Sequence, residues 1–214
     1  LANHGYVPDP RRYGITAGGN DSRPGDYYRS IPELFASRGF LVVMPDYRGH
    51  NSSEGYGQID PQTDESFLLY GEDVIALLAG ISDLNRHRFG ADLDNVFMWS
   101  HSMGGIVSMR VLLATDIVRA SSFWSTMNVD SFAEHYSNID GPIILQHSRD
   151  DTTTPVGNSE QFAAALTSID HPHHFHVYDS TDHLFKEKDQ NTAANRDAEF
   201  FRSLIGAGDT GGRD

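Results

Sequence analysis

Cysteine is absent from the 214-residue chain, which excludes disulfides, thiolate metal sites and a cysteine nucleophile. Lysine is nearly absent too: Lys186 and Lys188 are the only two. With 16 basic side chains against 30 acidic ones the formal charge is −14, and a surface of that sign repels phosphate backbones, so nucleic acid is not an expected partner. No apolar run approaches the roughly 20 residues needed to cross a bilayer, so a soluble protein without a membrane span is expected. The chain starts at Leu1, inside a strand-like segment and without an initiator Met, so the compartment is not legible and secretion stays open. Oligomeric state is not legible either.

What is present is enough for one domain with a real core, expected over 1–205, followed by a Gly-rich, frayed tail at 206–214. Leu1-Ala2-Asn3, Phe40 to Met44, Val96 to Trp99, Arg119 to Trp124, Gly141 to Gln146 and His173 to Tyr178 read as strands. Phe40 to Met44 is continuously apolar, as a parallel strand covered on both faces should be. Between the strands lie helical patterns. The first has Ser30 and Glu33 spaced as a capping box, Pro32 in its first turn and Gly39 as its stop. The second carries Phe67, Tyr70, Val74, Leu77, Leu78, Ile81 and Leu84 at three- and four-residue steps. Further helices are expected over Ile106 to Ala114 and Asn158 to Ile169 and around Phe200, Phe201 and Leu204, with a short amphipathic piece over Val129 to Ser137. Pro8 to Gly25 reads as a long surface loop. Strands alternate with helices and no period repeats, which predicts an α/β fold with a mostly parallel sheet and helices on both faces.

The most informative stretch is Ser100-His101-Ser102-Met103-Gly104-Gly105, placed between a strand and a helix. A tight turn there would hold the Ser102 hydroxyl out at the top of the sheet, with small residues two before and two after it to avoid the neighbouring strand and helix. The helix that follows would aim its free N–H groups and positive dipole end at the site, where an oxyanion is favoured. Alone, the hexamer is equally a strand-to-helix connection with a buried or capping serine. Two other positions give it weight. In a parallel sheet all strand C-terminal ends lie on one edge, where sites form, and Asp151 and His183 each follow such an end. A serine hydroxyl is a poor nucleophile until an imidazole accepts its proton, and the imidazole needs a carboxylate to fix its tautomer. Ser102, Asp151 and His183 supply those three groups. Asp150 is the rival for the acid, with the step from His147 to Pro155 favouring Asp151; Asp182 is expected to be a turn residue. His171, His173, His174 and His176 cluster, but no acidic or cysteine partner sits at ligand spacing, so no metal is expected.

These residues resemble the α/β-hydrolase superfamily, and within it the bacterial esterase and prolyl-oligopeptidase-like (dienelactone-hydrolase-like) serine hydrolases. The resemblance runs through His4-Gly5-Tyr6, Pro45-Asp46-Tyr47-Arg48-Gly49-His50, Met98 to Gly105, His147 to Pro155 and Asp182-His183. It implies a catalytic triad of Ser102, Asp151 and His183 in that chain order, and an oxyanion hole made by the backbone N–H groups of Tyr6 and Met103. It further implies hydrolysis of carboxylic esters, or of peptide-like acyl bonds, on a small-molecule substrate through an acyl-serine intermediate, with no cofactor. Three departures stand out. Ser100 replaces the usual Gly before the nucleophile, Ser148 replaces the Gly after His147, and the first strands of the family sheet are not in the chain. Without a covering segment or a second chain, Phe40 to Met44 would be a bare apolar edge. The short stretch at 129–137 leaves almost no room for a lid, so an open site is expected. The leading expectation is a serine esterase for small or medium acyl substrates. The alternatives are an oligopeptidase-like peptide hydrolase and, in another class, a non-catalytic ligand-binding protein of the same fold.

Overall fold

A computed structural model describes residues 1–6, 27–51, 53–55, 63–88 and 90–205. The expected loop at Pro8–Gly25 and the tail at 206–214 lie outside the described residues. Five strands, β1 (Ala2–Asn3), β2 (Val96–His101), β3 (Val118–Trp124), β4 (Ile143–Ser148) and β5 (His173–Tyr178), pair in that order, and every pair is parallel. The connections contain α1 (Ser30–Ala36), α2 (Asp64–Arg88), α3 (Gly104–Leu112), a 3-10 helix (Asp130–Asn138), α4 (Gly157–Ser168) and α5 (Glu187–Leu204).

Alternation along the strands divides the core in two. Met98, Phe123, Ile143 and Leu145 pack against α2, α3 and α4, while Phe97, Trp99, Ala120 and Trp124 pack against α1 and α5. Helices therefore cover both faces of the sheet, as the strand–helix alternation predicts. The long amphipathic pattern of the second helix delivers Phe67, Tyr70, Val74 and Leu78 to the first core. Phe97 stacks on Phe201 of α5 with centroids 4.6 Å apart, a contact of the kind worth roughly 1 kcal/mol beyond simple burial.

Two local expectations are corrected. Ser30 is the first helical residue of α1 and not its cap; Arg29 stands at the cap position with helical backbone angles and no side-chain cap bond, so the Ser30–Glu33 box does not form. Gly39 does end the helix, at φ +84°, with Gly39 N–H on Ala36 C=O and Phe40 N–H on Phe35 C=O. The Phe40 to Met44 run forms no ladder. It lies on the outer side of β1, joined to the sheet by the Ala2 N–H bond to Val43 C=O at 2.9 Å. Its residues are half-buried, except Leu41, which is 51% exposed. Its apolar side chains are thus only partly withdrawn from solvent, short of the full cover expected of a central parallel strand. The consequence for function is topological. The chain steps outward from β1 to this segment and then returns to the other side of β1 to enter β2, so β1 and β2 flank a switch point, where the crevice beyond the strand ends is the natural place for a site.

Candidate active site

At the end of β2 the chain turns through Ser102, which adopts φ +55°, a left-handed conformation costing about 1–3 kcal/mol for a side chain that must hold it. The turn is over-determined. Ser102 N–H donates to Trp124 C=O at 3.1 Å, and Ser102 C=O accepts from the N–H groups of Gly105 and Met127 at 3.0 and 3.2 Å. The glycines that follow are sterically required: a Cβ on Gly104 would stand 2.1 Å from Asn3 O, and one on Gly105 2.0 Å from Thr126 Oγ1. Ser100, where a glycine is usual, keeps its hydroxyl satisfied by donating to Ser122 C=O at 3.1 Å.

The acid and the imidazole arrive on the loops after β4 and β5. These loops are zipped together by Arg149 N–H on Tyr178 C=O, Asp150 N–H on Ser180 C=O and Ser148 Oγ on Asp182 C=O at 2.7 Å. The Ser148 substitution thus adds a tie to the histidine loop. Asp151 Oδ2 lies 2.7 Å from His183 Nδ1, so the carboxylate holds the proton on Nδ1 and leaves Nε2 as the nitrogen able to accept one. Asp151 Oδ1 accepts from the N–H groups of Thr153 and Thr154, at 2.7 and 3.1 Å. Burial alone would push this carboxyl up; the bonds from His147 and His183, the charge of His183 and the Thr154 N–H outweigh it and hold it well below the usual carboxylate range. Asp150 is exposed, and Asp182 turns toward Ser180 Oγ and Lys186 Nζ, each at 3.2 Å. The geometry therefore pairs His183 with Asp151 and neither neighbour. Among the described residues no hydrogen bond is formed by Ser102 Oγ; nucleophile–imidazole contacts commonly tighten only with substrate in place.

On the β1 side, the His4-Gly5 turn lies against the elbow: a Cβ on Gly5 would come within 3.0 Å of Ser102 Cβ and 3.2 Å of His101 O. Both peptide planes of the turn are fixed. His4 C=O accepts from Tyr47 Oη at 3.3 Å, Gly5 N–H donates to Tyr28 Oη at 2.8 Å, and Gly5 C=O accepts from His4 Nδ1 at 2.8 Å. Burial, with the nearby His50, lowers the His4 pKa to about 3, so the ring stays neutral and keeps its proton on the nitrogen facing that carbonyl. In a trans peptide the Tyr6 N–H points away from the Gly5 carbonyl, hence away from the His4 ring. Met103, the other candidate donor, is buried at the start of α3.

Several residues with a hand in this arrangement have no role of their own legible in the sequence. Thr154 Oγ1 donates to Ser125 C=O at 2.8 Å and lies 3.3 Å from His183 Nδ1. His147, fully buried, bonds Ser159 Oγ and Thr154 C=O at 2.7 and 2.8 Å and stands 3.5 Å from Asp151 Oδ2. Asp197 of α5, completely buried, accepts from Ser122 Oγ, Trp124 Nε1 and Gln146 Nε2. His147 and Thr154 fall within the His147 to Pro155 stretch without their bonds being legible there, and the sequence carries no signal for Asp197. The His174 and His176 rings lie side by side with centroids 6.5 Å apart, and among the described residues no group of three or more His, Asp or Glu side chains gathers as a metal site. No helix among them is long and apolar enough to cross a membrane.

A parallel sheet with helices on both faces, a left-handed serine at the switch point and an Asp–His pair on the next loops define a protein of α/β-hydrolase fold. The chain belongs to the dienelactone hydrolase family, whose family model matches residues 17–202. No curated protein matches it by sequence. Among solved structures it is similar to a puromycin-hydrolysing peptidase of Mycobacterium tuberculosis, at 20% identity and TM-score 0.71, covering 96% of this chain and 34% of that one. It is similar to an acylaminoacyl peptidase of Pyrococcus horikoshii, at 18% identity and TM-score 0.61, covering 78% and 32%. A protein described as a predicted CIB-like hydrolase of Thermoplasma acidophilum matches at 17% identity and TM-score 0.65, covering 94% and 84%. The chain thus spans about a third of the length of the two peptidases.

Proposed function

We propose that the chain is a serine hydrolase that cleaves carboxylic esters of small or medium acyl substrates, with residues 1–205 as its catalytic domain. The observation that carries this reading is the 2.7 Å contact between Asp151 Oδ2 and His183 Nδ1, on the same sheet edge as a serine held at φ +55°. In the first half-reaction Ser102 Oγ adds to the acyl carbon while His183 Nε2 takes its proton. Asp151 fixes the Nδ1–H tautomer and stabilises the imidazolium. The carbonyl oxygen becomes an oxyanion held by the N–H groups of Tyr6 and Met103, where loss of one such donor commonly costs about 3 kcal/mol of transition-state stabilisation. His183 then returns the proton to the leaving alkoxide, and the alcohol departs. Water, deprotonated by the same imidazole, adds to the acyl-serine and releases the acid and free Ser102. No step calls for a cofactor.

A second reading, hydrolysis of short peptides, is favoured by the similarity to two peptidase structures. The chemistry differs only in the leaving group, an amine that must be protonated before it can depart. The test is turnover of short-chain p-nitrophenyl esters and of peptide p-nitroanilides, together with fluorophosphonate labelling. Ester turnover that falls by about three orders of magnitude or more in Ser102→Ala, with loss of the label, is the expected result. Equal rates for the two proteins would overturn it, and peptide turnover above ester turnover would select the second reading.

A further inference from the structure

The segments that meet at Ser102, namely the His4-Gly5 turn, the elbow and the loop of His183, are far apart in sequence, yet one line of hydrogen bonds joins them. Gly5 N–H donates to Tyr28 Oη at 2.8 Å. Tyr28 Oη lies 2.8 Å from His101 Nδ1, and His101 Nε2 lies 3.0 Å from His183 C=O. The direction follows from counting protons. A carbonyl can only accept, so His101 Nε2 carries the proton it donates to His183. Burial keeps the His101 ring neutral, so Nδ1 has none and must accept from the Tyr28 hydroxyl. Tyr28 then accepts from Gly5 with its lone pair and donates with its O–H. Reversed, the Tyr28 proton would have no acceptor, and Nε2 would face the His183 carbonyl lone pair to lone pair.

Both intermediaries are buried, Tyr28 at 2% and His101 at 1% exposure, and His101 is further held by Trp99, stacked at 10°. A line of this kind in a dry interior is stiff, because breaking any link leaves a buried donor or acceptor unsatisfied. One end sits on the His4–Gly5 peptide, adjacent to the peptide that carries the Tyr6 N–H, the other on the backbone of the base, and His101 itself is the residue next to Ser102.

We propose that Tyr28 and His101 are positioning residues for the hydrolytic site: together they form a one-way hydrogen-bonded strut that sets the Tyr6 oxyanion donor and the His183 imidazole at a fixed distance across Ser102. This rests on the roles assigned to those three residues under Proposed function. The strut touches no substrate. It acts by holding two groups that do.

The test compares Tyr28→Phe, His101→Leu, the double variant and His101→Gln, which keeps an amide donor near the Nε2 position. Each is measured for ester kcat and KM, fluorophosphonate labelling rate and Tm, with nitrogen-15 NMR of the wild-type histidine rings alongside. The expected result is a kcat about tenfold lower in both single loss variants with KM changed less than about twofold, a double variant no slower than the worse single one, and substantial recovery in His101→Gln. NMR is expected to show His101 neutral with its proton on Nε2. A kcat within about twofold of wild type, losses that multiply in the double variant, or a proton on Nδ1 would each overturn the proposal. If Tyr28→Phe fails to fold, the wild-type tautomer still decides. If the wild type neither turns over esters nor takes the label, it is the hydrolase reading that fails, while the NMR result stands on its own for the strut.

Discussion

Asp151 has both oxygens occupied, one by His183 and one by two backbone N–H groups, and this division of labour makes its replacement predictable. On the proposed mechanism, Asp151→Asn would present an amide to Nδ1 and favour the wrong tautomer of the imidazole, so kcat should fall by about three to four orders of magnitude while the protein stays folded, as steady-state kinetics and circular dichroism would show. Ser148→Ala removes the hydroxyl that ties β4 to the Asp182 carbonyl beside His183. Severalfold loss of kcat with little change in Tm is expected. Asp197 behaves in the opposite sense to Asp151. Burial raises its pKa to about 7 against the pull of three hydrogen-bond donors, so between about pH 4 and pH 7 the folded state binds a proton that the unfolded state has released. Stability from this residue therefore falls as pH rises through that window, by up to about 1.4 kcal/mol per pH unit. Asp197→Asn lacks that dependence, so the Tm of wild type minus that of the variant should fall from pH 5 to pH 8. A difference that rises over that range would contradict the assignment.

At the scale of elements, the elbow is the constrained feature. The strain at Ser102 is held by the backbone bonds to β3 and α3, and the room for the turn exists because two consecutive glycines leave space for Asn3 and Thr126. Gly104→Ala forces a Cβ onto the β1 backbone, which cannot swing aside as a flexible side chain would. A loss of about 3 kcal/mol or more in urea denaturation is expected, with activity falling in parallel. Ser100 is a different case. Its hydroxyl is bonded to Ser122, so Ser100→Gly, although it restores the commoner residue, should destabilise by about 1–2 kcal/mol through the lost bond and the added backbone freedom.

Over the whole molecule, the feature that places the candidate site is the reversal of strand order around β1, and among the described residues the same reversal leaves the Phe40–Met44 segment outermost. A cavity of about 530 Å³ lies beside that edge, lined by Leu1, Phe40, Val42, Phe97, Phe201 and others, and none of the candidate catalytic residues borders it. Leu41, half-exposed on an apolar edge, is an association hazard. Leu41→Lys should reduce concentration-dependent association in light scattering while leaving kcat/KM unchanged, because the substitution is remote from Ser102.

The sequence by itself determined the alternation of elements and the α/β class, and it singled out Ser102, Asp151 and His183 as candidates, with Asp150 and Asp182 as rivals for the acid. Periodicity, glycine placement and the chemistry of a proton relay are local or compositional properties, and they are written in the order of residues. Only the tertiary structure decided that Phe40–Met44 forms no ladder among the described residues, and that Ser30 begins its helix without capping it. Both depend on what lies next to the segment in space. The same holds for Tyr28, His101, Thr154, His147 and Asp197. Each is a polar residue whose meaning is set by the partner that satisfies it in the fold, and a hydrogen bond between residues as far apart as His101 and His183, 82 positions, leaves no trace in the pattern around either one.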